Sequence, residues 1–337
     1  MAFTLGRIDV EAAIAVNPSR VVVGDRAAGE LTLTNKRARS VHGLRVELPV
    51  GKAIVPYTVS RLKGHGSVEE LFVVPTQRRA IIPVGPLTTV RGDPLGLMRR
   101  ERTWTDVDEI YVHPKTVMLS TIAAGLIRDL EGLTTPDLSP SDVAFHTLRE
   151  YVIGDDMRHV HWKSSAKIGT LMVRQYNDTR RSHVAVLLST DTDEFAGEEE
   201  FELAVSCAAS VAVQAIRDEQ TVDVIVGDQQ FPAVNPSRLL DRFSGIEGRP
   251  GGPGAGLALQ TARNVAPGAS VAVLCVGSTR DLPSLRTAMV SAGFDINTVV
   301  LQAKIGGRSG YRRVGRSAFV EVPALDTLGR GLVAVVG

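Results

Sequence analysis

The sequence predicts two folded units in series, an antiparallel β-sandwich followed by a doubly wound α/β domain. The chain has 337 residues, enough for about two domains of roughly 150 residues each. In the first third, apolar and polar residues alternate with period two, whereas from residue 183 continuous apolar runs alternate with helical patterns. We therefore expect a sandwich over 1–115, a connecting segment over 116–180 and the α/β domain over 181–337.

Short alternating strands account for the first unit. Leu44, Val46 and Leu48 are a clear example, with polar residues between them. Gly, Pro and Asn interrupt such runs at intervals of about ten residues, as in an immunoglobulin-like sandwich.

One turn and one strand end are marked by their residue types. Asp93, Pro94 and Gly96 predict a type I turn, because Asp can bond the backbone ahead, Pro presets the next φ and Gly suits the fourth position. Pro114 is expected to end the last strand of the sandwich.

The second unit begins with the run 183–189, which fits a strand covered on both faces. The helix that follows has one apolar stripe, made of Phe201, Ala204, Val205, Ala208, Val211, Ala212 and Ala215. Asn235 and Pro236 are expected at the cap and first turn of a later helix. The run 247–256 is rich in glycine and predicts a flexible loop, and it lacks the spacing of a phosphate-binding loop.

Composition argues against a protein that coats nucleic acid. The 38 Lys and Arg residues nearly balance the 37 Asp and Glu residues, and aromatic residues make up 5%. A nucleic-acid-coating protein is therefore not expected. Cys207 and Cys275 lie in apolar stretches and are expected to be core thiols in a reducing compartment, the cytoplasm.

The segment 149–174 concentrates charged, aromatic and histidine side chains. Its candidate functional residues are Arg149, Glu150, Tyr151, Gly154, Asp155, Asp156, Arg158, His161, Trp162 and Arg174. Arg–carboxylate pairs fix the orientation of neighbouring elements, and exposed Arg, Tyr and Trp favour interfaces. We therefore interpret the segment as a joint between the two domains or as a docking surface for a partner.

An alternative hypothesis is a metal-dependent hydrolase. Asp155, Asp156, His159 and His161 would supply nitrogen and oxygen ligands of the kind that catalytic metals use. Their spacing matches no strong metal motif, so an interaction protein without catalytic residues remains the preferred interpretation.

Three motifs together resemble a known bacterial family. They are RRAIIPVGPLTTVRGDPLGLMRR, EIYVHP and LREYVIGDDMRHVHWKSSAKIGTLMVRQY, in that order. This sequence resembles the family named domain of unknown function 58. The resemblance implies a sandwich joined to a von Willebrand factor A-like domain, and a scaffold or assembly role with a MoxR-type AAA+ ATPase as partner. Family members usually carry one or two N-terminal membrane helices, which this sequence lacks. We expect either that the sequence is a soluble truncation, whose full-length form would lie at the cytoplasmic face of the membrane, or that this member has lost its anchor.

The sequence departs from the A-domain pattern at the metal site. A-domains bind a divalent cation through Asp-x-Ser-x-Ser after the first strand, but here Ser189 occupies the first Asp position. Gly277 stands where a further Asp ligand is expected. We therefore expect a degenerate metal site and no cofactor, with Asp191 and Asp193 as weak candidates for a divalent cation. Metal-dependent adhesion of the integrin type is a third hypothesis.

Overall fold

The computed structural model describes residues 9–92, 99–119, 143–152, 157, 160–178, 183–233, 235–293 and 296–336. Within these residues the chain forms a group of antiparallel sheets, a two-stranded ribbon with a short helix, and an α/β domain.

Ten strands of the described residues form the first unit. They are β1 (Val10–Val16), β2 (Arg20–Val22), β3 (Ala27–Asn35), β4 (Val41–Val50), β5 (Ala53–Leu62), β6 (Ser67–Val74), β7 (Ala80–Val84), β8 (Thr88–Gly92), β9 (Arg99–Thr103) and β10 (Asp108–His113). One sheet has the order β1-β3-β6, and the other has the order β2-β10-β7-β4-β8-β9 with β5 paired to β4. Only the β2–β10 pairing among these is parallel.

The two sheets share one core, so the first unit is a β-sandwich. The expected alternation is confirmed, since Leu44, Val46 and Leu48 are all fully buried. They pack with Leu31 of the facing sheet and with Ile110 of β10. Strand β10 ends at His113, directly before Pro114, as expected.

A ribbon follows the sandwich. Strands β11 (Val143–Glu150) and β12 (Met172–Asp178) pair antiparallel. Between them lies the short helix α1 (Trp162–Ile168), which ends at Gly169 in the left-handed conformation.

The α/β domain has seven strands in its described part. They are β13 (His183–Leu188), β14 (Thr221–Val226), β15 (Gln229–Phe231), β16 (Val271–Val276), β17 (Asn297–Ala303), β18 (Gly310–Val314) and β19 (Ser317–Val322). Its helices of eight or more residues are α2 (Glu198–Arg217), α3 (Pro236–Ser244), α4 (Ala255–Val265), α5 (Leu282–Ser291) and α6 (Leu328–Val336).

The sheet of this domain has the order β15-β14-β13-β16-β17-β19-β18. The five inner strands are parallel, and the two edge strands β15 and β18 are antiparallel to their neighbours. Helices α2, α3 and α6 cover one face, and α4 and α5 cover the other. The strands are therefore buried on both faces, which explains their continuous apolar runs.

Local sequence explains where the helices lie. Every residue of the predicted stripe on α2 is buried, which confirms that prediction. The Asn235 side chain accepts hydrogen bonds from the first backbone N–H groups of α3, with Pro236 at the first position, also as expected. The glycine-rich run is a loop up to residue 254, as predicted, and its flexibility stays a prediction. The loop pairs with the chain after β13, since Thr192 N–H donates to the Arg249 carbonyl at 3.1 Å and Arg249 N–H to the Thr190 carbonyl at 3.0 Å.

Two further expectations concern the core and the membrane. Cys207 and Cys275 are buried and free, and burial raises the pKa of Cys207 to about 12. None of the helices in the described part of the chain has the length and apolar character needed to cross a bilayer.

Candidate functional site

The carboxyl ends of β13 and β16 meet at the point where the strand order of the α/β sheet reverses. The connection after β13 leads to α2 on one face, whereas α5, which follows β16, lies on the other. Doubly wound domains bind their ligands at this point. A ligand-binding site is therefore expected at this edge of the sheet.

A buried ion pair fills the centre of this edge. The Glu194 side chain is 3% exposed, and its Oε1 accepts from Arg280 Nη2 at 2.8 Å and Nε at 2.9 Å. Both carboxylate oxygens lie 3.2 Å from the backbone N–H of Ala255, the first residue of α4. The carboxylate thus occupies the positive end of a helix, where doubly wound domains commonly hold an anionic ligand.

A second buried carboxylate lies beside the first. Glu200, on α2, accepts from the Ser278 hydroxyl at 2.9 Å and from the backbone N–H of Ala196 at 2.9 Å and of Ser278 at 3.2 Å. These bonds tie the start of α2 to the residues after β16. Two buried charges at this edge are therefore satisfied within the chain.

The two weak metal candidates, Asp191 and Asp193, also bind the chain itself. Asp191 Oδ1 accepts from the backbone N–H of Gly251 at 2.9 Å, and Asp193 Oδ2 accepts from the same N–H at 3.1 Å. Gly251 has φ of +63°, a conformation that favours glycine. The carboxylates hold the glycine-rich loop over the edge of the sheet.

The residues at this edge do not fit a metal bound as in A-domains. Ser189 is fully buried and its hydroxyl accepts from Asp191 N–H at 3.3 Å. A Cβ on Gly277 would lie 2.2 Å from the Glu194 carbonyl oxygen, so this position has no room for an Asp side chain. The guanidinium of Arg280 supplies a fixed positive charge at the centre. Among the described residues, no group of three His, Cys, Asp or Glu side chains converges as metal ligands.

The predicted 149–174 segment is described in part. Gly154, Asp155, Asp156, Arg158 and His159 lie outside the described residues, as do the predicted turn residues Asp93, Pro94 and Gly96. The backbones of Arg149 and Arg174 lie in β11 and β12. The hydrolase hypothesis depends on Asp155, Asp156 and His159 and therefore stays a prediction.

His161 begins the short helix of the ribbon. Its Nδ1 accepts from the backbone N–H of Ser164 at 3.2 Å and lies 2.8 Å from the Ser164 hydroxyl. The Ser165 hydroxyl donates to the His161 carbonyl at 3.1 Å and accepts from Met172 N–H at 2.8 Å, which fixes α1 against β12. One imidazole nitrogen thus serves as a helix cap.

The other described residues of the segment lie at or near the surface. Glu150 is exposed and Tyr151 is half-buried, whereas Trp162 is 60% exposed. Besides Trp162, four other large apolar side chains of this segment are exposed. They are Val152, Met157, Ile168 and Leu171, each at least 40% exposed.

Contacts between the two domains come from residues that sequence reasoning missed. Asp241 on α3 accepts hydrogen bonds from Arg20 of β2, from Nε to Oδ1 at 2.9 Å and from Nη2 to Oδ2 at 2.8 Å. His113 Nε2 lies 2.8 Å from Asp241 Oδ1 and must carry the proton to donate. Burial alone would raise the pKa of Asp241, but these hydrogen bonds outweigh it and hold the pKa below its usual value.

A second contact centres on Arg79, whose side chain is 5% exposed. Its Nε lies 2.9 Å from Glu202 Oε2 on α2, out of line for a hydrogen bond, and Nη1 donates to the Phe243 carbonyl at 3.2 Å. The guanidinium lies 5.5 Å from the Phe201 ring centre. Burial lowers the pKa of Arg79 and raises that of Glu202. Whether the 149–174 segment also joins the domains stays a prediction.

These missed residues gave no local pattern to find. Glu194 and Arg280 are 86 positions apart, and Arg20 and Asp241 are 221 apart. Each looks like an ordinary surface charge in the sequence. The position of Arg280 just after a predicted buried strand was the one available indication.

The described residues form a β-sandwich and an α/β domain, and side chains of the chain itself fill the edge of the sheet where β13 and β16 end. Comparison with known families adds one match. Residues 147–242 match the model described as "Protein of unknown function DUF58". The match runs from β11 into α3, covers less than a third of the chain, and supports the resemblance noted from the motifs.

Comparison with solved structures gives only weak similarity. The CARDB domain of a Pyrococcus furiosus protein, solved with two metal ions, is 16% identical, covers 31% of this chain and 91% of its own, and has a TM-score of 0.24. The sporulation control protein Spo0M of Bacillus subtilis is 10% identical, covers 42% and 59% respectively, and has a TM-score of 0.20. At these scores neither bears on function. No curated protein matches the chain.

Proposed function

We propose that this chain is a non-enzymatic interaction or scaffold protein that docks a MoxR-type AAA+ ATPase. The observation that carries the proposal is the number of exposed large apolar side chains in the ribbon segment. Trp162, Val152 and Ile168 are each about 60% exposed, and they lie within the segment that carries the family motif. Exposed apolar groups of this kind, with Trp above all, are typical of protein-binding surfaces.

The filled edge of the α/β sheet supports the same proposal. Glu194 and Arg280 neutralise each other where a doubly wound domain would hold a small ligand. Recognition by the outer surface is then the function that fits best.

We also propose that the α/β domain is von Willebrand factor A-like and that the sandwich is immunoglobulin-like. The parallel sheet covered on both faces, with antiparallel edge strands, supports the first part. The two facing sheets that share one core support the second. On this proposal the protein acts in the cytoplasm or at the cytoplasmic face of the membrane.

The proposal is tested with the immobilised full chain and the purified MoxR-type ATPase of the same organism, with ATP, with ADP and without nucleotide. We expect saturable binding in at least one nucleotide state. The double variant Trp162→Ser/Ile168→Ser should lose it. The control Ile54→Ser, which changes a side chain 63% exposed on the sandwich, should retain it.

Two results would contradict the proposal. One is absence of binding in every nucleotide state by a chain that is folded by circular dichroism. The other is metal-dependent hydrolysis of ester or phosphoester substrates that is lost in Asp156→Asn, which would favour the hydrolase hypothesis instead.

A further inference from the structure

A groove lies between helix α5 and the edge strand β18, on the opposite side of the molecule's sheet from α2. It has a volume of about 680 Å³ and is lined by Leu282, Val290 and Val314, with Arg286 and Arg312 beside them. Val290 is 80% exposed. The groove thus has an apolar floor with two guanidinium groups.

One wall of the groove is an open strand. Among the described residues β18 pairs with β19 alone, so alternate N–H and C=O groups of β18 point away from the sheet. Arg312 lies opposite the buried Phe319, and Val314 opposite Ser317, which places both on the α5 face. An edge of this kind can accept a further strand.

The stretch of sequence that contains β18 is cationic. The sequence from 304 to 316 contains five cationic side chains and no acidic one, although the whole chain carries a net charge of only +1. The five residues are Lys304, Arg308, Arg312, Arg313 and Arg316. Lys304 pairs with Glu321, whereas Arg286 and Arg312 form no salt bridge with any described residue.

We propose that this groove binds an acidic, extended segment of a partner protein. The segment adds as a strand to β18, places an apolar side chain between Leu282, Val290 and Val314, and sets its carboxylates against Arg286 and Arg312. Arginine forms planar two-point contacts with carboxylates, so this pairing supplies specificity as well as charge. An apolar floor beside open backbone groups suits a peptide better than a nucleic acid, whose phosphates need neither. The inference does not depend on the AAA+ ATPase, because the groove and the ribbon are separate surfaces.

The test uses a fluorescein-labelled ten-residue peptide in which valine alternates with aspartate or glutamate, and the full chain. We expect saturable binding by fluorescence anisotropy and slower amide exchange at residues 310–314. The double variant Arg286→Glu/Arg312→Glu should weaken binding about tenfold, because each reversed charge removes one pair and adds a repulsion. The control Arg330→Glu reverses one arginine charge at an exposed position on α6, across the sheet, and should bind as the wild type does.

Three outcomes would overturn the proposal. The first is equal binding by the wild type and the double variant, or equal binding of a peptide with lysine in place of each acid. The second is binding of single-stranded DNA at this patch without binding of the acidic peptide. The third is self-association of the chain that the double variant abolishes, which would assign the groove to a second copy. If the double variant does not fold, Arg286→Gln/Arg312→Gln replaces it. If the full chain binds the ATPase but not the peptide, this inference alone fails. If it binds the peptide but not the ATPase, the proposed function alone fails.

Discussion

Arg280→Met tests whether the ion pair at the edge of the sheet is structural. The change removes the guanidinium that contacts Glu194 at 2.8 Å and keeps an apolar stem of similar length. Among the described residues, the Glu194 carboxylate, 3% exposed, is then left with the backbone N–H of Ala255 as its partner.

The magnitude follows from burial on both sides of the pair. Removing one partner of a fully buried pair costs about 3–5 kcal/mol. Arg280 is 38% exposed, so solvent already screens part of the interaction, and the start of α4 still offers up to about 1 kcal/mol to a nearby carboxylate. We therefore expect a loss of about 2 kcal/mol, which for a domain of roughly 150–250 residues lowers Tm by about 4–8 °C.

The assay is thermal and urea unfolding followed by circular dichroism, with Arg330→Met as the control for an exposed arginine. The double variant Arg280→Met/Glu194→Gln should recover more than half of the loss, because a neutral amide no longer needs a cation. A change of less than about 0.5 kcal/mol in Arg280→Met, or losses that simply add in the double variant, would refute the structural role.

Further predictions concern three other positions. Gly277→Ala should lower the free energy of unfolding by about 2–4 kcal/mol, because its Cβ would lie 2.2 Å from a backbone oxygen. Gly329→Ala, whose Cβ would meet nothing within 4 Å, should leave the free energy of unfolding unchanged. Equal Tm values for the two variants would contradict this prediction. Asp241→Asn should cost about 1–3 kcal/mol at pH 7. Because folding lowers the pKa of Asp241, the stability difference between wild type and variant is fully present above the ordinary pKa of 3.8 and should shrink as the pH falls below that value. Urea unfolding from pH 7 to pH 3 measures this difference. A difference that grows towards low pH would contradict the prediction. His161→Ala should lose about 1 kcal/mol from the cap of α1 while His161→Asn retains most of it, as amide exchange of the helix would report; equal exchange in both variants would argue against a cap.

Sequence alone predicts the architecture well where a local pattern determines it. Period-two alternation places Leu44, Val46 and Leu48 in the sandwich core, because a strand with one buried face must alternate. Asn235 and Pro236 begin α3 as expected, because a cap depends on two adjacent residues.

Features that depend on tertiary contacts are not predictable in this way. Helix α4 follows a run of Gly and Pro that hides its start, and that run is held over the sheet by Asp191 and Asp193. The pairing of Glu194 with Arg280 and of Arg20 with Asp241 depends on the fold, because a charged side chain gives no sign of its partner in the sequence.

Position 277 illustrates both what the sequence reveals and what only the structure explains. The sequence reveals that glycine stands there, and the structure supplies the reason, since any Cβ would meet the backbone of Glu194. Glycine at position 277 is therefore coupled to the close packing of the chain after β13 against that after β16.

Binding of the full chain to the MoxR-type ATPase of its own organism tests the central claim most directly. Sedimentation velocity of the two purified proteins, with ATP and with ADP, measures complex formation without immobilisation. We predict a defined complex that forms with the wild type and with Ile54→Ser and is lost in Trp162→Ser/Ile168→Ser. Independent sedimentation of the two proteins in every nucleotide state, or a complex that the ribbon variant forms as well as the wild type does, would contradict the claim.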